Sequence, residues 1–157
     1  MDVPVLLTVF NRPATSFRVL AAIRAAGVSR LYIAADGPRA DRPGEAELCA
    51  GLRAQLLAAI DWPCEVKTLF REQNLGCGRA MASAVDWFFS EVEEGIILED
   101  DCLPHPDFFR FAAAALAFYR ADERVMCING TQLAAGWSAG QWSCGFSRFA
   151  QIWGWAS

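Results

Sequence analysis

The sequence predicts an α/β protein: one domain over residues 1–157, with a mostly parallel sheet flanked by helices. Two observations lead there. Short apolar runs of strand length alternate with segments of helical period along most of the chain, the order that builds right-handed strand–helix–strand crossovers. Each apolar run also ends in a polar cluster, at the carboxyl ends where open parallel sheets bind ligands. The chain is 54% hydrophobic and 20% charged, so it has the means to bury a core.

The elements follow in order. Residues 3–10 form a continuous apolar run, as a strand buried on both faces should be. Pro13 and Thr15 open a helix with Phe17, Leu20, Ile23 and Ala26 on one face, and Gly27 closes it. Residues 30–35 are a second strand, cut by Asp36-Gly37-Pro38. Residues 45–60 are a second helix, with Leu48, Leu52, Leu56 and Ala59 in register, and residues 64–70 a third strand. Residues 78–93 are a third helix, with Ala82, Val85, Phe88, Phe89 and Val92 on its apolar face. Residues 95–98 are a fourth strand, running into Glu99-Asp100-Asp101. A fourth helix over 106–120 and a fifth strand over 124–129 complete the pattern. Residues 136–155 have no clean period and read as loop plus one short strand at 144–149. Four of the six tryptophans fall there, at 137, 142, 153 and 155; they suit either a sugar-stacking platform or core, with core favoured for Trp153 and Trp155.

Composition narrows the function. A net charge of -4 argues against bulk electrostatic binding to nucleic acid. No apolar run approaches the ~20 residues of a membrane span, and Met1-Asp2 leads straight into the first strand without a basic leader. The six cysteines show no CxxC spacing and His105 is the single histidine, so free thiols in a reducing cytoplasm are expected rather than zinc. No GxGxxG, GxxxxGK[ST] or GxSxG is present, which weakens a nicotinamide-dependent oxidoreductase, a P-loop enzyme and a hydrolase.

The rim of strand ends collects Asn11-Arg12-Pro13, Asp36-Gly37-Pro38-Arg39, Arg71 with Asn74-Leu75-Gly76, Glu99-Asp100-Asp101, and Asn129-Gly130-Thr131-Gln132. The acidic triplet is the sharpest of these. Three adjacent carboxylates repel one another, and a hard divalent cation relieves that while bridging to phosphate oxygens. A solvated acidic turn is the other reading, and Asp107 is available to cap the helix that follows.

The ordered set of motifs resembles the GT-A glycosyltransferases. The likeness is in particular to family-2-like members and the GlcNAc transferases that begin complex N-glycans. It rests on residues 4–13 (Pro-Val-Leu-Leu-Thr-Val-Phe-Asn-Arg-Pro), Asp36-Gly37, Asn74-Leu75-Gly76 and residues 95–101 (Gly-Ile-Ile-Leu-Glu-Asp-Asp). Residues 104–109 (Pro-His-Pro-Asp-Phe-Phe) and Trp153-Gly154-Trp155 extend it. The resemblance implies a GT-A, nucleotide-diphospho-sugar transferase fold. It implies transfer of a sugar from a nucleotide-sugar, usually a UDP-sugar, to a hydroxyl of a glycan, lipid-linked or protein acceptor, with Mn²⁺ or Mg²⁺ and inversion. Carried over by position, Phe10, Asn11 and Arg12 line the nucleotide pocket. Asp36 accepts a hydrogen bond from the base. Arg71, Asn74, Gly76 and Arg79 lie near ribose and diphosphate, Asp100 contacts ribose or sugar, Asp101 coordinates the metal, and Glu99 starts the motif. The family's catalytic base comes from a segment after the tryptophan stretch, which places it beyond Ser157 and implies a truncated form. Two rivals are a non-catalytic nucleotide-sugar-binding domain and a sugar-phosphate nucleotidyltransferase. The latter expects a glycine-rich segment where Phe10-Asn11-Arg12-Pro13 stands.

Overall fold

A computed structural model describes residues 2–131 and 144–157. Six strands form one sheet: β1 (Val5–Val9), β2 (Arg30–Ala35), β3 (Glu65–Phe70), β4 (Ile96–Glu99), β5 (Ile128–Asn129) and β6 (Trp155–Ala156). Their spatial order is β3-β2-β1-β4-β6-β5. β1 pairs in parallel with β2 and β4, and β2 with β3, whereas β6 runs antiparallel between β4 and β5. From β1 the chain steps outward to β2 and β3, then returns to lay β4 on the other side of β1. The strand order therefore reverses between β1 and β4, the switch point at which open α/β sheets form a crevice at the carboxyl edge.

The pleat sorts the core into two layers. Val5, Leu7 and Val9 face one way, onto Val19, Leu20 and Ile23 of α1 (Pro13–Ala25), Leu52 and Leu56 of α2 (Glu45–Ala58), and Phe109, Ala112 and Leu116 of α4 (Pro106–Tyr119). Leu6 and Ile97 face the other way, onto Ala84 and Phe88 of α3 (Cys77–Glu91), with Tyr32 meeting Phe88 edge to face at 5.0 Å. Burial on both sides explains why β1, β2 and β4 read as unbroken apolar runs.

Five expectations need correction. The fifth strand pairs only at Ile128–Asn129. Upstream of it, Asp122 and Arg124 close a turn through Val125 N–H to Asp122 O (2.9 Å) and the Asp122–Arg124 ion pair. Residues 144–149 form no strand. Phe146 and Phe149 are exposed, and the pairing segment is Trp155–Ala156, held also by reciprocal backbone bonds between Gly95 and Ser157. On α2 the buried face is Glu45, Cys49, Leu52 and Leu56, and Leu48 is exposed. Of the tryptophans expected in the core, Trp155 packs partly buried on the α3 side, while Trp153 is 51% exposed; Trp137, Trp142 and Gln132 lie outside the described residues. The helix cap expected of Asp107 is supplied by exposed His105, whose Nδ1 accepts from Asp107 N–H at 3.2 Å.

Candidate functional site

The crevice between β1 and β4 holds the first cluster. Phe10 N–H donates to Asp100 Oδ2 (3.4 Å), and Arg12 Nη1 donates to Asp100 Oδ1 (3.3 Å) and Asp101 Oδ2 (2.6 Å). Arg12 is placed by the start of α1: its carbonyl accepts from Ser16 N–H (3.1 Å) and from buried Ser16 Oγ (2.7 Å), with Pro13 at the first helical position. The Asp100 side chain is 9% exposed and that of Asp101 33%. Burial pushes the Asp100 carboxyl above its ordinary pKa, against the opposing pull of Arg12 and the Phe10 N–H. Half-buried Glu99 is pushed up too, first by burial and then by the charges of Asp101 and Asp100. Asp101 is thus the member of the triplet that combines solvent access with ionic pairing.

A second cluster forms where the loops after β2 and β3 meet. Asp36 Oδ1 accepts from the N–H groups of Gly37 (2.9 Å) and Leu75 (2.9 Å), and Oδ2 accepts from Asn74 Nδ2 (3.0 Å) and Gly76 N–H (3.1 Å). A carboxylate offers about four lone-pair sites, and here four chain donors take them. The residue expected to accept from a base is instead the latch of the Asn74–Gly76 turn. Gly37 is required in the same contact, because a Cβ there would stand 2.3 Å from the Gln73 backbone. Arg53 Nη2 adds a tie, donating to Asp36 O (2.8 Å) and Arg71 O (2.9 Å). Gly76, at φ 78°, turns the chain into α3. Arg71 reaches inward to Ser83 Oγ at 2.6 Å. Arg79 lies exposed on the first turn of α3, without a side-chain hydrogen bond or ion pair among the described residues. The first intrahelical bond of α3 is Ala80 N–H to Gly76 O, so the N–H groups of Cys77, Gly78 and Arg79 are open donors among the described residues.

The third cluster was not legible in the sequence. Glu45, the first residue of α2, is 6% exposed. Its carboxylate accepts from Arg39 N–H (2.7 Å), Arg39 Nε (3.0 Å), Arg39 Nη2 and Asn11 Nδ2 (2.9 Å). These donors, Arg39 foremost, hold Glu45 at a pKa of about 2. The Arg39 guanidinium also lies over the Phe10 ring, 5.5 Å from its centroid. Asn11 is therefore drawn away from Arg12 and toward the β2–α2 loop. The available signal was only the unusual burial of a helix-starting Glu, which no local spacing reveals.

Fit to a divalent cation can be judged from the donors. Among the described residues no group of three or more His, Cys, Asp or Glu is gathered closely enough to hold a metal alone. Asp101 with Asp100 behind it provides one or two carboxylates, the protein share used when Mg²⁺ arrives with phosphates and waters. Beside the triplet, a cleft of about 100 Å³ is lined by Leu98, Cys102, His105, Phe108, Thr131 and Trp153 among others. All six cysteines are free, and no helix among the described residues is long and apolar enough to cross a membrane. The chain matches no protein-family model and no curated protein sequence.

Proposed function

We propose that the chain is the donor-binding domain of a GT-A glycosyltransferase, taking a UDP-sugar together with Mn²⁺ or Mg²⁺ and delivering the sugar to an acceptor hydroxyl. One observation carries the reading. At the point where the strand order reverses, a buried and a part-exposed carboxylate share one arginine, and that arginine lies within electrostatic reach of Cys77 at the start of α3. That combination suits a diphosphate and its counter-ion. Arg12, Arg79 and the open N–H groups of α3 supply positive charge to phosphate oxygens. Asp100, committed to Phe10 and Arg12, fixes the crevice wall. Asp101 presents the carboxylate for the cation. The cation would stabilise charge developing on the departing diphosphate as a Lewis acid. Exposed Trp153 and the neighbouring cleft offer an aromatic face to sugar C–H groups.

The test is calorimetric titration of the protein with UDP, with and without Mn²⁺. The expected result is binding that tightens with the metal. Absence of metal-dependent UDP binding would overturn the reading.

A further inference from the structure

The saturated carboxylate of Asp36 leaves base recognition without its expected acceptor, and the Asn11–Arg39–Glu45 cluster has the groups to replace it. An ionised carboxylate can only accept hydrogen bonds. The Asn11 amide must therefore turn its NH₂ group to Glu45, at 2.9 Å, which leaves Oδ1 as a fixed acceptor with no donor among the described residues. Glu45 likewise takes the Nε and Nη2 edge of Arg39, leaving the two N–H groups of Nη1 without a partner among the described residues. Phe10 and the Arg39 plane supply flat surfaces of the kind on which bases stack. A fixed acceptor and fixed donors, on two side chains that share Glu45 Oε1, match a ring N–H next to a carbonyl. Uracil has that edge at N3–H and guanine at N1–H; cytosine and adenine carry a bare ring nitrogen there.

We propose that Glu45 is a positioning residue for nucleotide recognition, locking Asn11 Oδ1 and Arg39 Nη1 to read the N–H/carbonyl edge of a base. The inference rests on the donor-site reading above and deepens it. Glu45 touches no ligand itself. Its carboxylate holds two side chains whose residues lie 34 and 6 positions away in sequence, and it stays ionised because those same donors keep its pKa near 2.

The experiment is calorimetry with Mn²⁺ present, using UDP, GDP, CDP, ADP and inorganic pyrophosphate, on the parent protein and on Glu45→Gln. The parent is expected to bind UDP, GDP or both at least about ten-fold more tightly than CDP and ADP, one good hydrogen bond in a closed site. Glu45→Gln is expected to lose that preference, because a side-chain amide no longer dictates the Asn11 orientation, while pyrophosphate affinity stays within about two-fold. Retained pyrophosphate binding also certifies that the variant is folded, and the parent series alone tests base preference if the variant is not. Equal affinity for all four nucleotides in the parent overturns the inference but leaves the diphosphate site standing. So does an unchanged preference in Glu45→Gln. Failure of every probe, pyrophosphate included, overturns the site reading and this inference with it.

Discussion

Asp101→Ala separates ligand binding from folding more cleanly than any other change in the crevice. The side chain is 33% exposed and pairs with an arginine that is 57% exposed, so solvent screens the 2.6 Å contact heavily. Exposed pairs of this kind are worth about 0–1 kcal/mol. At roughly 2–4 °C per kcal/mol for a domain of this size, the melting temperature should fall by no more than about 4 °C. Asp100 next door is different: it is 9% exposed and accepts from both Phe10 N–H and Arg12. Its removal leaves the Phe10 N–H without its acceptor, and an unsatisfied buried donor costs about 1–3 kcal/mol, so Asp100→Ala should melt below Asp101→Ala. Ligand binding should order the two by a different rule. If Asp101 is the carboxylate that meets the cation, its removal abolishes the Mn²⁺ enhancement of UDP affinity, at least about ten-fold or 1.4 kcal/mol, and leaves the metal-free affinity intact. Paired thermal melts and UDP titrations with and without Mn²⁺ measure both quantities. An Asp101→Ala protein that melts normally and keeps its full Mn²⁺ enhancement would refute the assignment and move the cation elsewhere.

Asp36→Ala should release the Asn74–Gly76 turn and cost at least about 2 kcal/mol in a denaturant titration. It should weaken UDP and GDP binding by similar factors, whereas a selective loss for one base would restore Asp36 as a base reader. Arg79→Ala should leave stability within about 0.5 kcal/mol and weaken pyrophosphate binding several-fold; unchanged pyrophosphate affinity would remove Arg79 from the site. Glu45 has a folded pKa lowered to about 2 from its ordinary 4.5, so the stability its ionised form contributes is present above pH 4.5 and is lost as the pH falls toward 2. Melts of the parent and Glu45→Gln should accordingly differ at neutral pH and converge below about pH 2; a gap that stays constant with pH would show that ionisation of Glu45 is not what stabilises the clamp.

The order of strands and helices was readable because burial on both faces writes a continuous apolar run into β1, β2 and β4, and because Asp36-Gly37-Pro38 and Gly27 punctuate them. The rim of polar clusters was readable for the same reason, since each cluster begins where an apolar run stops. What escaped had no local signature. The short extent of β5 and the existence of β6 escaped, since each is two residues, too short for any period. The roles of Asp36 and Glu45 depend on donors brought together only by the fold: Leu75 and Gly76 from the β3–α3 loop for one, Asn11 from the end of β1 for the other. A sequence displays an acidic residue at a strand end in the same way whether its oxygens face a ligand or the next loop.

The position of β6 has a consequence for how the chain assembles. The block β3-β2-β1-β4 uses only residues up to Glu99, so its pairings are all available once that stretch has left the ribosome. β5 has a different history. Its sheet partner among the described residues is β6, which is synthesised after it and must slot between β5 and the exposed edge of β4. Until Trp155 and Ala156 arrive, the edges of β4 and β5 lack the partner they have among the described residues, with Ile97 and Ile128 beside them. Such unpaired edges recruit strands from other chains, which makes the interval before β6 docks one in which this sheet is open to aggregation.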